Sequence, residues 1–128
     1  MAPGSGNRAD HPRAVIVGPC AAGKSTLAEA LCRRGYDAYV CAQEHSLIRS
    51  LWRHQNPDVV IFLEVDLETV RRRRGQEWPE AIFVEQMRRL SEARLAADLV
   101  IDTATTDVAE MVARTIEFLE QAGERGRN

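Results

Sequence analysis

The sequence lacks the features that would suit a membrane, a disulfide framework or a polyanionic partner. Its longest uninterrupted apolar run, residues 59–63, is far shorter than the ~20 residues that span a bilayer as a helix. The three cysteines, Cys20, Cys32 and Cys41, have no CxxC spacing, which argues against disulfides and against a zinc site. The formal net charge of -2 gives no bulk attraction to nucleic acid or a membrane surface. These absences predict a cytoplasmic protein without nucleic-acid or membrane partners.

Length and composition indicate one domain. A chain of 128 residues can bury one core but not two independent ones. The hydrophobic fraction of 45% and the charged fraction of 28% are ordinary for a globular protein. Residues 1–12 are rich in Gly, Pro and Ser, so we expect a flexible lead there. The domain is predicted at residues 13–122, with a frayed tail at 123–128.

Strand-like and helix-like segments alternate along the chain. Strands are predicted at residues 13–17, 36–42, 59–65 and 99–101. Helices are predicted at residues 24–34, at 44–55, after Asp66 through 71–74, at 79–96, and after Asp107. The alternation predicts an α/β fold with a parallel sheet. In such sheets ligands collect at the carboxyl ends of the strands.

A glycine-rich motif lies between the first predicted strand and the first predicted helix. Its residues fit the spacing GxxxxGK[ST]: Gly18, Pro19, Cys20, Ala21, Ala22, Gly23, Lys24 and Ser25. The glycines let consecutive N–H groups wrap a polyphosphate, and the helix adds its positive end. In such a P-loop Lys24 contacts the outer phosphates, Ser25 holds magnesium and Thr26 contacts the inner phosphate.

The motif predicts a site for ATP or another nucleoside triphosphate with Mg²⁺. The competing interpretation is a glycine-containing turn that only links a strand to a helix. Lys24 would then be a solvated cation. The strand and helix context favours the phosphate site.

Residues 18–26, 56–66 and 97–103 together resemble the P-loop kinases of small molecules and nucleotides, the group that contains shikimate, gluconate and thymidylate kinases. The resemblance covers residues 13–120. It implies a P-loop NTPase three-layer sandwich. Family members usually carry one more strand and helix than this chain has room for, so we expect a four-stranded parallel sheet in the order 2-1-3-4.

The resemblance also implies a lid whose arginines close over the nucleotide. The matching residues are Arg71 to Arg74, and since neighbours on a helix diverge, Arg71 with Arg74, or Arg72 alone, would face the phosphates. A solvated helix face is the alternative. Thr103 and Thr105 match the loop that borders the adenine ring.

The family's acidic groups have no direct match in this sequence. Val40 and Ala42 occupy the positions where shikimate-type kinases carry acceptor-steering aspartates, and the strand bearing the second magnesium-site acid is absent. We therefore expect Glu44, with Ser25, to serve the magnesium, or Glu44 to act as the base. The alternative is that Glu44 only favours the start of a helix through its charge.

Two functions fit these residues. The first is a kinase that transfers the γ-phosphoryl group of ATP to a small-molecule or nucleotide acceptor, with Lys24, Glu44, Arg71 and Arg74 as catalytic groups. A small anionic acceptor would lie near Gln43, His45, Arg49 and Arg53. The second is a nucleotide-binding switch or slow ATPase without a small-molecule acceptor.

Overall fold

Four short apolar segments form one parallel sheet in the computed structural model, which describes residues 12–127. The strands are β1 (Arg13–Val17), β2 (Asp37–Val40), β3 (Val59–Glu64) and β4 (Leu99–Asp102). Their order across the sheet is β2-β1-β3-β4, and every neighbouring pair is parallel. The predicted α/β class, parallel sheet and strand order are confirmed. Residues 1–11 of the predicted lead lie outside the described residues.

Strand β1 lies inside the sheet and sets its register. Val15 pairs with Tyr39 of β2 on one side and with Val60 of β3 on the other. Strand β3 in turn pairs with β4, where Phe62 lies opposite Val100. Because both inner strands are covered on both faces, they are apolar at consecutive positions rather than at alternate ones.

The helices cover both faces of this sheet. They are α1 (Lys24–Arg33), α2 (Leu67–Arg74), α3 (Glu80–Arg89), α4 (Ser91–Ala96) and α5 (Val108–Arg127). On one face Ile16 and Leu63 pack with Leu27 of α1 and Leu119 of α5, and we call this the α1/α5 core. On the opposite face lies the α4 core, whose members are Val15, Val17, Cys41, Trp52, Val60, Phe62, Leu90 and Ala93. Successive strand residues point to opposite faces, so β1 and β3 contribute to both cores.

The helix predicted over residues 44–55 is wrong. The segment contains only two 3-10 turns, Gln43–His45 and Leu51–Arg53. Ser46 between them is extended, and its hydroxyl accepts a hydrogen bond from the Ile48 N–H at 3.0 Å. Such local side-chain bonds compete with helical ones. The Gln43 side chain then fixes the segment, donating to the Ile48 carbonyl at 2.7 Å and accepting from the Trp52 N–H at 3.0 Å.

The helix predicted over 79–96 is divided in two. Helix α3 ends at Arg89 and α4 begins at Ser91. The Ser91 hydroxyl donates to the Arg88 carbonyl at 2.9 Å, while the Leu90 side chain is fully buried between the two helices and the sheet. Leu90 at the break and Ala93 of α4 both enter the α4 core.

Helix α5 starts as expected and runs beyond the predicted end of the domain. The Asp107 carboxylate accepts the Glu110 N–H at 2.8 Å, which is an N-terminal cap. The helix continues through residues 123–127, where a frayed tail was predicted, and residue 128 lies outside the described part of the chain. Among residues 12–127, no helix is both long and apolar enough to cross a bilayer.

Candidate functional site

The 18–25 loop connects β1 to α1 in a conformation that depends on its glycines. A Cβ atom on Gly18 would lie 2.5 Å from the backbone carbonyl oxygen of Leu63, so only glycine fits against β3 there. Gly23 has a φ of 98°, which side chains rarely allow. Ala21 also has a positive φ, 68°. The loop therefore turns sharply at the carboxyl end of β1 and feeds directly into α1.

The start of helix α1 presents backbone N–H groups to a cleft. Its N-cap residue is Gly23, which provides no side-chain acceptor, and the first N–H groups of a helix have no acceptor within the helix. The cleft has a volume of about 470 Å³ and is lined by residues 20–26 together with Val40, Ala42, Glu44, His45, Arg73 and Arg74. Positive helix ends and free N–H groups together suit an anion.

Lys24 is folded back into the protein rather than extended into solvent. Its Nζ donates to the carbonyl oxygens of Gly18 at 2.7 Å and Pro19 at 3.0 Å. The same atom lies 2.8 Å from Glu44 Oε2. Lys24 is 9% exposed and Glu44 4% exposed, so this ion pair is buried. An incoming anion would meet an ammonium group that is already neutralised by one carboxylate.

Glu44 reaches this position because strand order places the end of β2 beside the 18–25 loop. One of its oxygens, Oε1, is buried and has no hydrogen-bond partner among the described residues. A buried carboxylate oxygen without a donor is costly, which points to a ligand or water at this atom. Burial, and to a smaller extent the charge of Glu44, raises the pKa of the neighbouring Cys41 thiol. Cys41 is therefore a neutral thiol.

Arg73 is the arginine that connects α2 to the loop. One guanidinium nitrogen donates to the Ala21 carbonyl at 2.7 Å, and the other donates to the Thr103 carbonyl at 2.7 Å. Arg74 also lines the cleft, and its guanidinium lies 5.7 Å from the centre of the Trp78 ring. Two cations from α2 therefore border the loop.

The other two predicted lid arginines lie elsewhere. The Arg71 side chain donates to the Trp78 carbonyl at 3.0 Å and so stabilises the turn after α2. The Arg72 guanidinium donates to the Thr69 hydroxyl at 3.0 Å on the same helix. Neither borders the cleft. The pairing of Arg71 with Arg74, or of Arg72 alone, is thus replaced by Arg73 with Arg74.

A smaller cavity of about 280 Å³ continues on the opposite side of the loop. Thr103 lines it together with Thr26, Arg73 and Met111. Thr105 lies outside it, exposed, with its hydroxyl 3.5 Å from the Asp102 carbonyl. Its neighbour Thr106, which sequence reasoning missed, lines the cavity instead.

A third cavity, of about 470 Å³, adjoins the cleft through Glu44 and His45. Its remaining walls come from the turn after α2 and from α3: Trp78, Ala81, Ile82, Glu85, Gln86 and Arg89. A hydrogen bond from Arg89 lowers the pKa of Glu85, so both side chains are charged. No sequence pattern predicts this wall, because it lies about 40 residues from Glu44 in the chain.

Of the four residues predicted around an acceptor, only His45 lines this third cavity. Gln43 is fully buried and uses both ends of its amide within the chain. Arg49 and Arg53 are exposed, and Arg53 lies over the Trp52 ring at 4.8 Å. Because the predicted helix is absent, the four-residue spacing of Arg49 and Arg53 does not place them on one helix face.

No protein-family model matches the chain, and neither does any curated protein sequence.

Proposed function

We propose that the 18–25 loop is a P-loop and that the protein binds the polyphosphate of ATP with Mg²⁺ in the adjoining cleft. The observation that carries the proposal is the start of α1, where uncapped N–H groups, Lys24 and two arginines border one cleft. These are the groups that a triphosphate requires. The four-stranded sheet would then be a shortened P-loop NTPase sandwich.

The residues around the loop divide the work of holding such a ligand. The first N–H groups of α1 and Thr26 would bind the inner phosphates, and Arg73 and Arg74 the outer ones. Magnesium accepts oxygen ligands and keeps several waters, so Ser25 and the unpartnered oxygen of Glu44 fit it and would let it neutralise phosphate charge. The smaller cavity beside Thr103 is the place for the base.

We further propose that the activity is phosphoryl transfer to a small acceptor. The supporting observation is the third cavity, which opens beside Glu44 and offers Trp78, Gln86 and Arg89 to a second molecule. A kinase needs a cavity for the acceptor beside the nucleotide site, whereas a pure nucleotide switch does not. The acceptor would lie there rather than near Arg49 and Arg53.

A nucleotide-binding switch or slow ATPase is the second candidate. The segment directly after Glu44 carries Leu47 and Ile48, which are 79% and 55% exposed. If nucleotide draws Lys24 away from Glu44, this segment is the part of the chain attached to the released acid. An exposed apolar pair in that place suits contact with another protein.

The test of nucleotide binding is calorimetric titration of Lys24→Met with ATP and Mg²⁺. Methionine keeps the apolar stem of the buried side chain, and loss of a charge-assisted contact costs about 1.5–3 kcal/mol, or roughly 10- to 150-fold in affinity. Arg49→Met, which removes an exposed cation outside the cleft, should leave the affinity unchanged. Far-UV circular dichroism verifies folding. Equal affinities of a folded Lys24→Met and the wild type would overturn the proposal.

Because Lys24→Met leaves Glu44 buried without its partner, a second variant guards against unfolding. Ser25 is exposed and supports no packing, so Ser25→Ala should fold normally. It should bind ATP more weakly in the presence of Mg²⁺ and as well as the wild type in its absence, because only the metal contact is lost. An affinity for ATP·Mg²⁺ that does not fall would count against the assignment of this loop.

A further inference from the structure

Three potential metal ligands meet at the tip of the 18–25 loop. Cys20 Sγ, His45 Nε2 and a carboxylate oxygen of Glu44 all lie within 4.8 Å of one another. The sulfur is 3.9 Å from His45 Nε2, and that nitrogen is 3.6 Å from Glu44 Oε2. The loop contributes the thiol, and the Gln43–His45 turn contributes the other two groups.

These spacings are close to those of a tetrahedral zinc site. Zinc bonds of about 2.3 Å to sulfur and about 2.0–2.2 Å to nitrogen and oxygen place neighbouring ligands about 3.3–3.6 Å apart. The observed 3.9 Å and 3.6 Å separations therefore need a few tenths of an ångström of adjustment, and Cys20 Sγ and the Glu44 carboxylate, which lie within 4.8 Å of each other, would approach by up to about 1.2 Å. His45 has a side chain that is 62% exposed, so it can make the smaller adjustment.

The surroundings of the cluster also suit a metal. Glu44 Oε1 is buried without a partner among the described residues, while Oε2 is held by Lys24. The oxygen that lies 3.6 Å from His45 Nε2 is Oε2, so the cation would share Oε2 with Lys24 and leave Oε1 open. Gln86 is 5% exposed, and its amide donates to Cys20 Sγ at 3.2 Å and accepts the Cys20 N–H at 3.1 Å. Contacts of this kind orient a metal-ligating sulfur.

We propose that Cys20, Glu44 and His45 form a site for a thiophilic divalent cation, Zn²⁺, with a fourth position open to water or another ligand from the cleft. Sulfur and imidazole ligands select zinc over magnesium, which prefers oxygen. A thiolate and a carboxylate balance the metal charge, and Lys24 keeps its contact with the same carboxylate. The ion would join the 18–25 loop to the turn after β2. This site goes beyond the proposed nucleotide binding and does not depend on it.

The experiment uses the full chain without nucleotide, with Co²⁺ as a spectroscopic probe and Zn²⁺ as its competitor. We expect the wild type to bind one Co²⁺ with a thiolate-to-cobalt charge-transfer band and intense tetrahedral d–d bands, both removed by one equivalent of Zn²⁺. Cys20→Ser should abolish the charge-transfer band. His45→Ala should weaken Zn²⁺ binding at least by the roughly 10- to 100-fold that loss of a supporting contact costs.

The chain offers matched controls for both substitutions. Cys32→Ser removes an exposed thiol and His54→Ala an exposed imidazole, each outside the cluster, so both should bind Co²⁺ and Zn²⁺ like the wild type. A wild type without the charge-transfer band would overturn the proposal, and so would equal losses in the control variants. Should Cys20→Ser fail to fold, the wild-type spectrum and the comparison of His45→Ala with His54→Ala still decide. Because nucleotide is absent throughout, the result is separate from that of the ATP titrations.

Discussion

In the cleft, an ion pair between Lys24 and Glu44 joins the 18–25 loop to the turn after β2. Both side chains are buried, and their charged atoms lie 2.8 Å apart. Desolvation makes such a pair a weak source of stability, while removal of one partner costs about 3–5 kcal/mol. Under the proposed nucleotide binding, the pair would be two groups held ready for a ligand. On that view an arriving phosphate takes over Lys24 and frees Glu44 for proton transfer or magnesium.

Glu44→Gln tests this role. The amide keeps the size of the side chain and an oxygen for Lys24, but it cannot accept a proton. If Glu44 acts as a base, release of ADP from ATP·Mg²⁺ should fall by about a hundredfold or more, with ATP affinity little changed. Glu64→Gln is the matched control, because Glu64 ends β3 at the same edge of the sheet and lies outside the three cavities. Turnover of Glu44→Gln within a few fold of the wild type would exclude the base.

The motif spacing predicted the loop between β1 and α1, whereas the contacts of the arginines could not be predicted. The apolar run before Gly18 predicts the strand, the two glycines predict the turn, and the helical spacing after Gly23 predicts the helix. A helical arrangement shows that Arg71 and Arg74 share a face, but not which face of α2 meets the loop. The tertiary fold decides that, because Arg73 reaches both the Ala21 carbonyl of the loop and the Thr103 carbonyl after β4. The cluster of Cys20, Glu44 and His45 could not be predicted either, because only the tertiary fold brings these three residues together.

The segment between β2 and β3 shows how a local pattern can mislead. Leu47, Ile48, Leu51 and Trp52 have helical spacing, yet Leu47 and Ile48 are exposed and only Trp52 is buried. Of these four side chains only Leu51 and Trp52 reach the α4 core, because Leu90 and Ala93 already fill that core on this face. Tertiary packing therefore outweighs periodicity here. Helices α2 and α5, in contrast, start directly after their predicted caps, Asp66 and Asp107.

Asp66 is the cap that starts α2, and it gives a pH-dependent prediction. Its carboxylate accepts the Thr69 N–H at 2.8 Å, and hydrogen bonds from Thr69 lower the Asp66 pKa. Asp66→Ala should lower the free energy of unfolding by about 1 kcal/mol at pH 7. Because the folded pKa is the lower one, this stabilisation is complete above the unfolded value of about 4 and is lost as the pH falls through the folded pKa.

Urea denaturation of Asp66→Ala and the wild type between pH 7 and pH 2.5 measures this difference. Glu117→Ala removes an exposed carboxylate in the middle of α5 and should change the free energy of unfolding by less than about 0.5 kcal/mol at any pH. A gap between Asp66→Ala and wild type that stays constant down to pH 2.5 would show that the carboxylate charge contributes nothing to the cap.

The molecule as a whole depends on one thin sheet that is shared by two cores. Val15 and Val17 of β1 enter the α4 core, while Ile16 between them enters the α1/α5 core. Strand β3 alternates in the same way. Loss of packing on one face therefore removes support from the strands that the other face needs, and we expect the two cores to unfold together. Domains of this size usually unfold in one cooperative step.

The two tryptophans make that coupling measurable, because Trp52 belongs to the α4 core and Trp78 packs against the α1/α5 core. In the single-tryptophan variants Trp78→Phe and Trp52→Phe, fluorescence and far-UV circular dichroism should give the same urea midpoint. Adding Leu63→Ala truncates a fully buried side chain of the α1/α5 core alone and should cost about 2–5 kcal/mol. The free energy of unfolding reported by Trp52, on the opposite face, should fall by this full amount, with a lower urea midpoint. Leu95→Ala, at a side chain that is 88% exposed, should leave it in place. A Trp52 transition that Leu63→Ala does not move would mean that the two faces unfold independently.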